Sequence, residues 1–282
     1  MDRGPLVRTL PSTDGVTVAL HDLGGEGPPL LLCHPTGFLA MTWAPMAAAL
    51  AGVAHCWALD FRGHGESTTP APSRLCWSGM ADDVLAAVGA LGTIPVRAAG
   101  HSMGGAAVLL AEERQPGTFS GLWLFEPIVL PPPEGARGPN PLSEGARRRR
   151  RRFPDREAAY ANFASKPPLQ VLAPAALRAY VDHGLREAPD GDGVVLACAP
   201  ETEAVVFENG MVHPTFTRLG EVRCPVVVAA GGDLAGPAAF APVIADRLPH
   251  GRLERYPHLT HFGPMEDPPA MAAAVRAALD LA

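Results

Sequence analysis

The sequence predicts an α/β protein built on a mainly parallel, doubly wound sheet. Short continuous apolar runs recur along the chain, stretches of helical composition alternate with them, and glycine-rich turns stand where apolar runs end. A chain of 282 residues with 47% hydrophobic composition is long enough to bury a large core, and α/β folds of this size often form one domain.

The elements follow in order. Residues 6–10 and 16–22, LVRTL and VTVALHD, flank PSTDG and read as a β-hairpin turned at Asp14-Gly15. PLLLCH (29–34) is unbroken apolar sequence, as expected of a central strand covered on both faces. AHCWALD (54–60) and VRAAGH (96–101) are of the same kind, and Ala44–Ala51 and Trp77–Leu91 between them have helical composition. GLWLFE (121–126), PVVVAA (225–230) and RLERY (252–256) bring the strands to eight. Between Pro127 and about Phe216 the alternation stops. Proline-rich PPPEGARGPNPLSEG leads into EGARRRRRRF, DREAAYANFAS and APAALRAYVDHGL, which read as short helices broken at Lys166-Pro167-Pro168 and Pro174. Residues 127–216 are therefore expected to be a helical lid inserted after the sixth strand, with 1–126 and 217–282 forming the core.

The formal net charge of −6 offers no basic footprint for nucleic acid, so a small molecule is the expected partner. Six adjacent arginines, Arg147–Arg152, could neutralise phosphates, but no aromatic residues interleave them and Asp155 and Glu157 follow, which fits a solvated face. No apolar stretch has signal-peptide or membrane-spanning length, which leads us to expect a cytoplasmic protein with no membrane partner. The cysteines, Cys33, Cys56, Cys76, Cys198 and Cys224, are odd in number and lack CxxC spacing, so reduced thiols are expected and no metal site. No cofactor is implied, and a homodimer stays open.

The sharpest chemical signal is AAGHSMGGAAVLL (98–110). Glycines two before and two after Ser102 let a strand turn abruptly into a helix, leaving the serine oxygen clear of the sheet. The helix start also supplies free backbone N–H groups, Met103 among them, where negative charge would develop. The competing reading is an ordinary bend in a chain with 30 glycines; the apolar strand before it and the small-residue helix after it favour the nucleophile. A general base would be a histidine near the last strand, and YPHLTHFGPMEDP offers His258 and His261.

Four motifs, HPTGF (34–38), DFRGHGES (60–67), GHSMGG (100–105) and HFGPMEDP (261–268), occur in the order found in the α/β-hydrolase superfamily, which this chain resembles. The resemblance implies the α/β-hydrolase fold, with an eight-stranded sheet and a helical lid, in a serine-nucleophile branch of esterase, lactonase or perhydrolase type. It makes the Thr36 backbone N–H the second oxyanion donor, with Pro35 where glycine is usual. It leaves Asp60, Arg62 and His64 structural. By family spacing it favours His261 over His258, although Thr260 stands where glycine commonly does. It places the acid at Asp233 if Ala230 takes the glycine position, with Glu126 at the end of the preceding strand as the alternative. Phe38, Trp43, Met103 and Met211 could line a pocket or belong to the core; Asn209 and His213 could contact substrate or play a surface role; His101 is expected beneath the turn. The expected activity is cofactor-free hydrolysis of a small or medium ester, thioester or lactone through an acyl-enzyme. A lyase or cyclase, a carbon–carbon hydrolase, and a ligand-binding receptor on the same fold are the rivals.

Overall fold

The computed structural model describes residues 6–132, 140–210 and 213–282. Eight strands form one sheet: β1 (Leu6–Pro11), β2 (Thr17–Asp22), β3 (Pro29–Cys33), β4 (His55–Asp60), β5 (Val96–His101), β6 (Phe119–Phe125), β7 (Val226–Ala230) and β8 (Gly251–Arg255). Their spatial order is β1-β2-β4-β3-β5-β6-β7-β8. The first two pairings are antiparallel and the rest parallel.

The unbroken apolar runs are explained by what covers the sheet. Along β3, Leu31 and Cys33 enter one core cluster while Leu30 and Leu32 enter the other, and all four are fully buried. Burying each leucine contributes roughly 1.5–3 kcal/mol, which a strand wet on one face would half forfeit. Helices α2 (Trp77–Leu91) and α3 (Met103–Arg114) cover the first face, while α1 (Ala44–Leu50) and Pro268–Ala278 cover the second. At the hairpin, Asp14 and Gly15 both take positive φ, and Ser12 N donates to Val16 O at 2.8 Å.

The chain winds outward from β3 in both directions, to β4 on one side and β5 on the other. Such a reversal opens a crevice at the strands' carboxyl ends. Cys33 pairs in register with Gly100, so the loop leaving β3 and the turn leaving β5 begin side by side.

The segment between β6 and β7 departs from the sequence reading in two ways. Helices α4 (Pro141–Arg147), α5 (Arg156–Ala164), α6 (Pro174–Gly184) and α7 (Pro200–Asn209) are joined by a three-stranded antiparallel sheet of Arg152–Phe153, Val194–Leu196 and Leu185–Glu187. The stretch read as one helix, EGARRRRRRF, thus ends its helix at Arg147 and closes as a strand. Pairing with the distant Val194 and Val195 overrides the helical propensity of the arginines. Nor is the run a free basic strip. Arg147 pairs with Glu208, Arg149 with Glu203 and Arg152 with Asp190, while Arg150 lies over the Phe153 ring.

Arg62 is fully buried and grips Asp83 through Nε at 2.9 Å and Nη2 at 2.7 Å, tying the turn after β4 to α2. Removing one partner of such a pair leaves a buried charge unanswered. Arg62→Met should therefore lower unfolding free energy by about 3–5 kcal/mol in urea denaturation, and adding Asp83→Leu should recover part of that loss.

Candidate active site

Ser102 occupies the single residue between β5 and α3, with φ 55° and ψ −116°. A non-glycine residue in that region is strained by about 1–3 kcal/mol and persists only where its surroundings hold it. Here Ser102 N donates to Phe125 O at 3.0 Å, and Ser102 O accepts from Ala106 N and Ile128 N. The flanking glycines are a packing requirement. A Cβ at Gly104 would lie 2.2 Å from Cys33 O, so only glycine lets α3 start this close to β3. Ser102 is 7% exposed at this turn, and Met103 is fully buried behind it.

The loop after β3 is organised by two buried histidines. His34 Nε2 accepts from Phe61 N at 3.1 Å, so its Nδ1 carries the proton and donates to Pro35 O at 2.8 Å. His64 Nε2 accepts from Gly37 N at 3.1 Å, leaving Nδ1–H for Arg62 O. Phe38 N returns to Pro35 O, closing a tight turn whose Gly37 has φ 78°. Pro35 thus contributes a carbonyl, where its missing N–H does not matter. Neither the Thr36 nor the Met103 N–H is taken up by an acceptor among the described residues. His64 thereby has a structural place in this loop, and Asp60 accepts from Ala40 N, Glu66 N and His21.

His261 and Glu126 come together: Nδ1 of the ring meets Glu126 Oε2 at 2.5 Å. The other carboxylate oxygen, Oε1, accepts from Gly231 N at 2.8 Å, and the Glu126 side chain is 2% exposed against 26% for His261. Thr260, in the place where glycine was expected, anchors the histidine loop by donating N and Oγ1 to Glu266 Oε2 at 2.9 and 2.7 Å. His258 is exposed on the turn Tyr256–Leu259. The first choice of acid does not meet the ring: Asp233 is exposed and accepts from Ala235 N at 2.9 Å, closing its own turn. The alternative, Glu126, is the carboxylate beside the imidazole.

The other expected contacts divide. His101 is fully buried, 4.8 Å from the His261 ring between centroids, and burial, with the neighbouring imidazole, pushes its basicity well down. Phe38 stands in an aromatic row, 5.2 Å from Tyr180 and 5.7 Å from Phe262, beside a cavity of about 10 Å³ also lined by Gly37 and Cys198. Trp43 is corrected to core: it is fully buried in the apolar layer under α1 and presents no surface to a ligand. His213 stacks on Trp77 at 5.5 Å and meets Ile128 O at 3.2 Å; Asn209 Nδ2 donates to Leu75 O at 3.1 Å. Met211 lies outside the described residues. Tyr180 and Phe262 escaped the sequence reading because nothing in their local pattern separates them from ordinary core aromatics.

A profile of the Alpha/beta hydrolase family matches residues 30–274. The chain belongs to the alpha/beta hydrolase family. By family membership it is an enzyme of the hydrolase type with the alpha/beta hydrolase fold, as its motifs led us to expect. One 118-residue segment is 38% identical to protein phosphatase methylesterase 1 of Homo sapiens, covering 40% of this chain and 31% of that protein. An 80-residue segment is 38% identical to (E)-2-((N-methylformamido)methylene)succinate hydrolase of Acinetobacter baylyi, covering 28% and 30%. The chain thus matches under a third of the length of these curated relatives. Among solved structures, E-2-(acetamidomethylene)succinate hydrolase superposes with a TM-score of 0.82 at 20% identity, covering 98% of this chain and 99% of that one. The peroxisomal alpha-beta-hydrolase of Saccharomyces cerevisiae gives 0.80 at 19% identity, covering 99% and 85%. Likeness at such identities shows the fold alone. Among the described residues no helix is long and apolar enough to cross a membrane.

The two loop histidines predict a pH effect on this alpha/beta hydrolase. Burial pushes His34 down to about 3, helped by neighbouring His64, and pushes His64 down to about 4. In the unfolded chain both protonate near pH 6.5, so below that pH the unfolded state binds more protons than the folded one. Stability is therefore full above pH 6.5 and falls as pH drops toward 4 and then 3, at roughly 1.4 kcal/mol per pH unit for each proton. Urea titrations between pH 6 and 4.5 should show His64→Gln losing about one proton's share of that slope.

Proposed function

We propose that this protein is a serine hydrolase that cleaves a small or medium ester, thioester or lactone through an acyl-enzyme, with Ser102, His261 and Glu126 as its triad. The single observation that carries the reading is the His261 Nδ1–Glu126 Oε2 contact at 2.5 Å on a family member whose elbow presents Ser102. With Nδ1 committed to the carboxylate, Nε2 is the nitrogen left to take the serine proton. Ser102 Oγ attacks the substrate carbonyl as its proton passes to His261. The carbonyl oxygen, now negative, is received by the Thr36 and Met103 N–H groups. The imidazolium, stabilised by Glu126, protonates the leaving alcohol or thiol as the tetrahedral carbon collapses to the acyl-enzyme. Water then repeats the sequence and releases the acid. Residues 127–216 serve as the lid, and the Phe38–Tyr180 contact is one place where that lid meets the oxyanion loop. The methylesterase name of the human relative agrees with an ester substrate.

A fluorophosphonate probe should label wild type and leave Ser102→Ala unlabelled. On p-nitrophenyl esters, Glu126→Gln should lower kcat by on the order of 10²–10⁴-fold, while Asp233→Asn should stay within about threefold of wild type. The reverse order would return the acid role to Asp233.

A further inference from the structure

One arginine of the 147–152 run turns inward. Arg149 donates through Nη2 to the Tyr180 hydroxyl at 2.6 Å and pairs through Nη1 with Glu203. Its side chain is 22% exposed and that of Glu203 8%, in contrast to Arg152, whose pair with Asp190 sits in solvent. The carboxylate of Glu203, from the first turn of α7, rests against the oxyanion loop. A Cβ at Gly37 would lie 2.5 Å from Glu203 Oε1 and 3.4 Å from Arg149 Nη1. Tyr180, the third member, has its ring on Phe38, the next residue of that loop.

This placement sets an electrostatic problem. Gly37 follows Thr36, whose N–H is the proposed oxyanion donor, so the insertion brings a carboxylate to within about two residues' width of developing negative charge. Alone, that carboxylate would oppose the oxyanion, and partial burial weakens the screening that water would supply. The Arg149 guanidinium answers it. Tyr180 stays neutral, since burial pushes its phenol above the usual range and outweighs the nearby guanidinium.

We propose that Arg149, Glu203 and Tyr180 form a charge-compensated clamp seating the insertion on the oxyanion loop, with Arg149 a positioning residue that keeps the Glu203 carboxylate from opposing the oxyanion. The proposal rests on the serine-hydrolase reading. It has a consequence for substrate choice: the guanidinium nearest Gly37 is already matched by Glu203, so the intact clamp favours substrates that are uncharged where they meet this loop, and freeing the guanidinium shifts preference toward anionic ones.

The test uses the full chain and a neutral fluorophosphonate, whose phosphoryl oxygen takes the oxyanion position as Ser102 Oγ displaces fluoride. Labelling rates are compared for wild type, Arg149→Met, Glu203→Gln and the double variant, with urea midpoints recorded beside them. Arg149→Met should slow labelling by on the order of tenfold. Glu203→Gln, which leaves the cation unopposed, should not slow it and should raise the relative rate on a carboxylate-bearing ester over its methyl ester. The double variant should return to within about threefold of wild type. A loss in Arg149→Met that is absent in Glu203→Gln and reversed in the double variant is what packing alone does not produce. If both slow labelling and the double variant is slower still, the cluster is a structural contact and the proposal is wrong. If Arg149→Met does not fold, Glu203→Gln decides by itself, and slower labelling overturns the clamp. A wild type that takes no label where a known serine esterase does removes the serine reading, and the clamp with it; labelled wild type with both variants impaired removes the clamp alone.

Discussion

One backbone approach governs the candidate site: the start of α3 lies against the ends of β3 and β5 with no room for a side chain between. A Cβ at Gly104 would stand 2.2 Å from Cys33 O and 2.7 Å from His34 O, and one at Gly100 would stand 2.8 Å from Gly105. A chain so confined must reverse within one residue, which forces Ser102 to φ 55°. The strain is offset by hydrogen bonds that Ser102 N and O make to β6, α3 and the chain beyond Glu126. Because Cys33 is paired with Gly100, the same contact places the N–H-bearing turn of residues 35–38 beside the elbow.

That turn has to hold its shape in an apolar surround, where an unanswered polar group is costly. The answer is a chain of neutral or paired groups running inward from it. His64 takes the Gly37 N–H, His34 takes the Phe61 N–H, and their rings lie 5.1 Å apart. Burial would push Asp60 up, but the hydrogen bond and charge of His21 outweigh it and hold its carboxyl below the usual range. Asp60 in turn fixes Ala40 N at 2.7 Å, just after the turn. These residues look catalytic by type, yet their polar atoms face backbone groups and one another.

Much of this was legible because it is written in local pattern. A fully buried strand needs an unbroken apolar run, and each run in the core became a strand within two residues of its expected ends. The elbow was legible because its glycines are a steric necessity. The identity of the carboxylate beside His261 was not, since Asp233 and Glu126 both stand past strand ends and only the direction of each turn decides between them. Glu126, at φ 44°, aims at the ring, whereas Asp233 folds back on Ala235 N. The three-stranded sheet of the insertion was hidden for a different reason. Strands of two and three residues carry no periodicity, and Arg152–Phe153 gains its partner more than forty residues away, at Val194–Val195. The inward turn of Arg149 among outward arginines follows from that pairing and from Glu203, neither of which sits near it in sequence.

The position of Glu126 ties the insertion to the candidate site. Its backbone N donates to Ala229 O on β7 at 2.8 Å and its Oε1 accepts from Gly231 N, so the carboxylate is held from the neighbouring strand on both counts. The insertion begins at the next residue, but its first turn is not free to move with the rest. Pro127 packs against Gly105, Ile128 N donates to Ser102 O at 3.2 Å, and Val129 is fully buried. With three residues fastened to the elbow, the chain leaving β6 stays attached to the core as far as Val129, and so does the footing of the contact between Glu126 and His261. The carboxylate on β6 thus stands at the joint between core and insertion while belonging mechanically to the core, and the loop of Asp233 is left with only a backbone donor to supply.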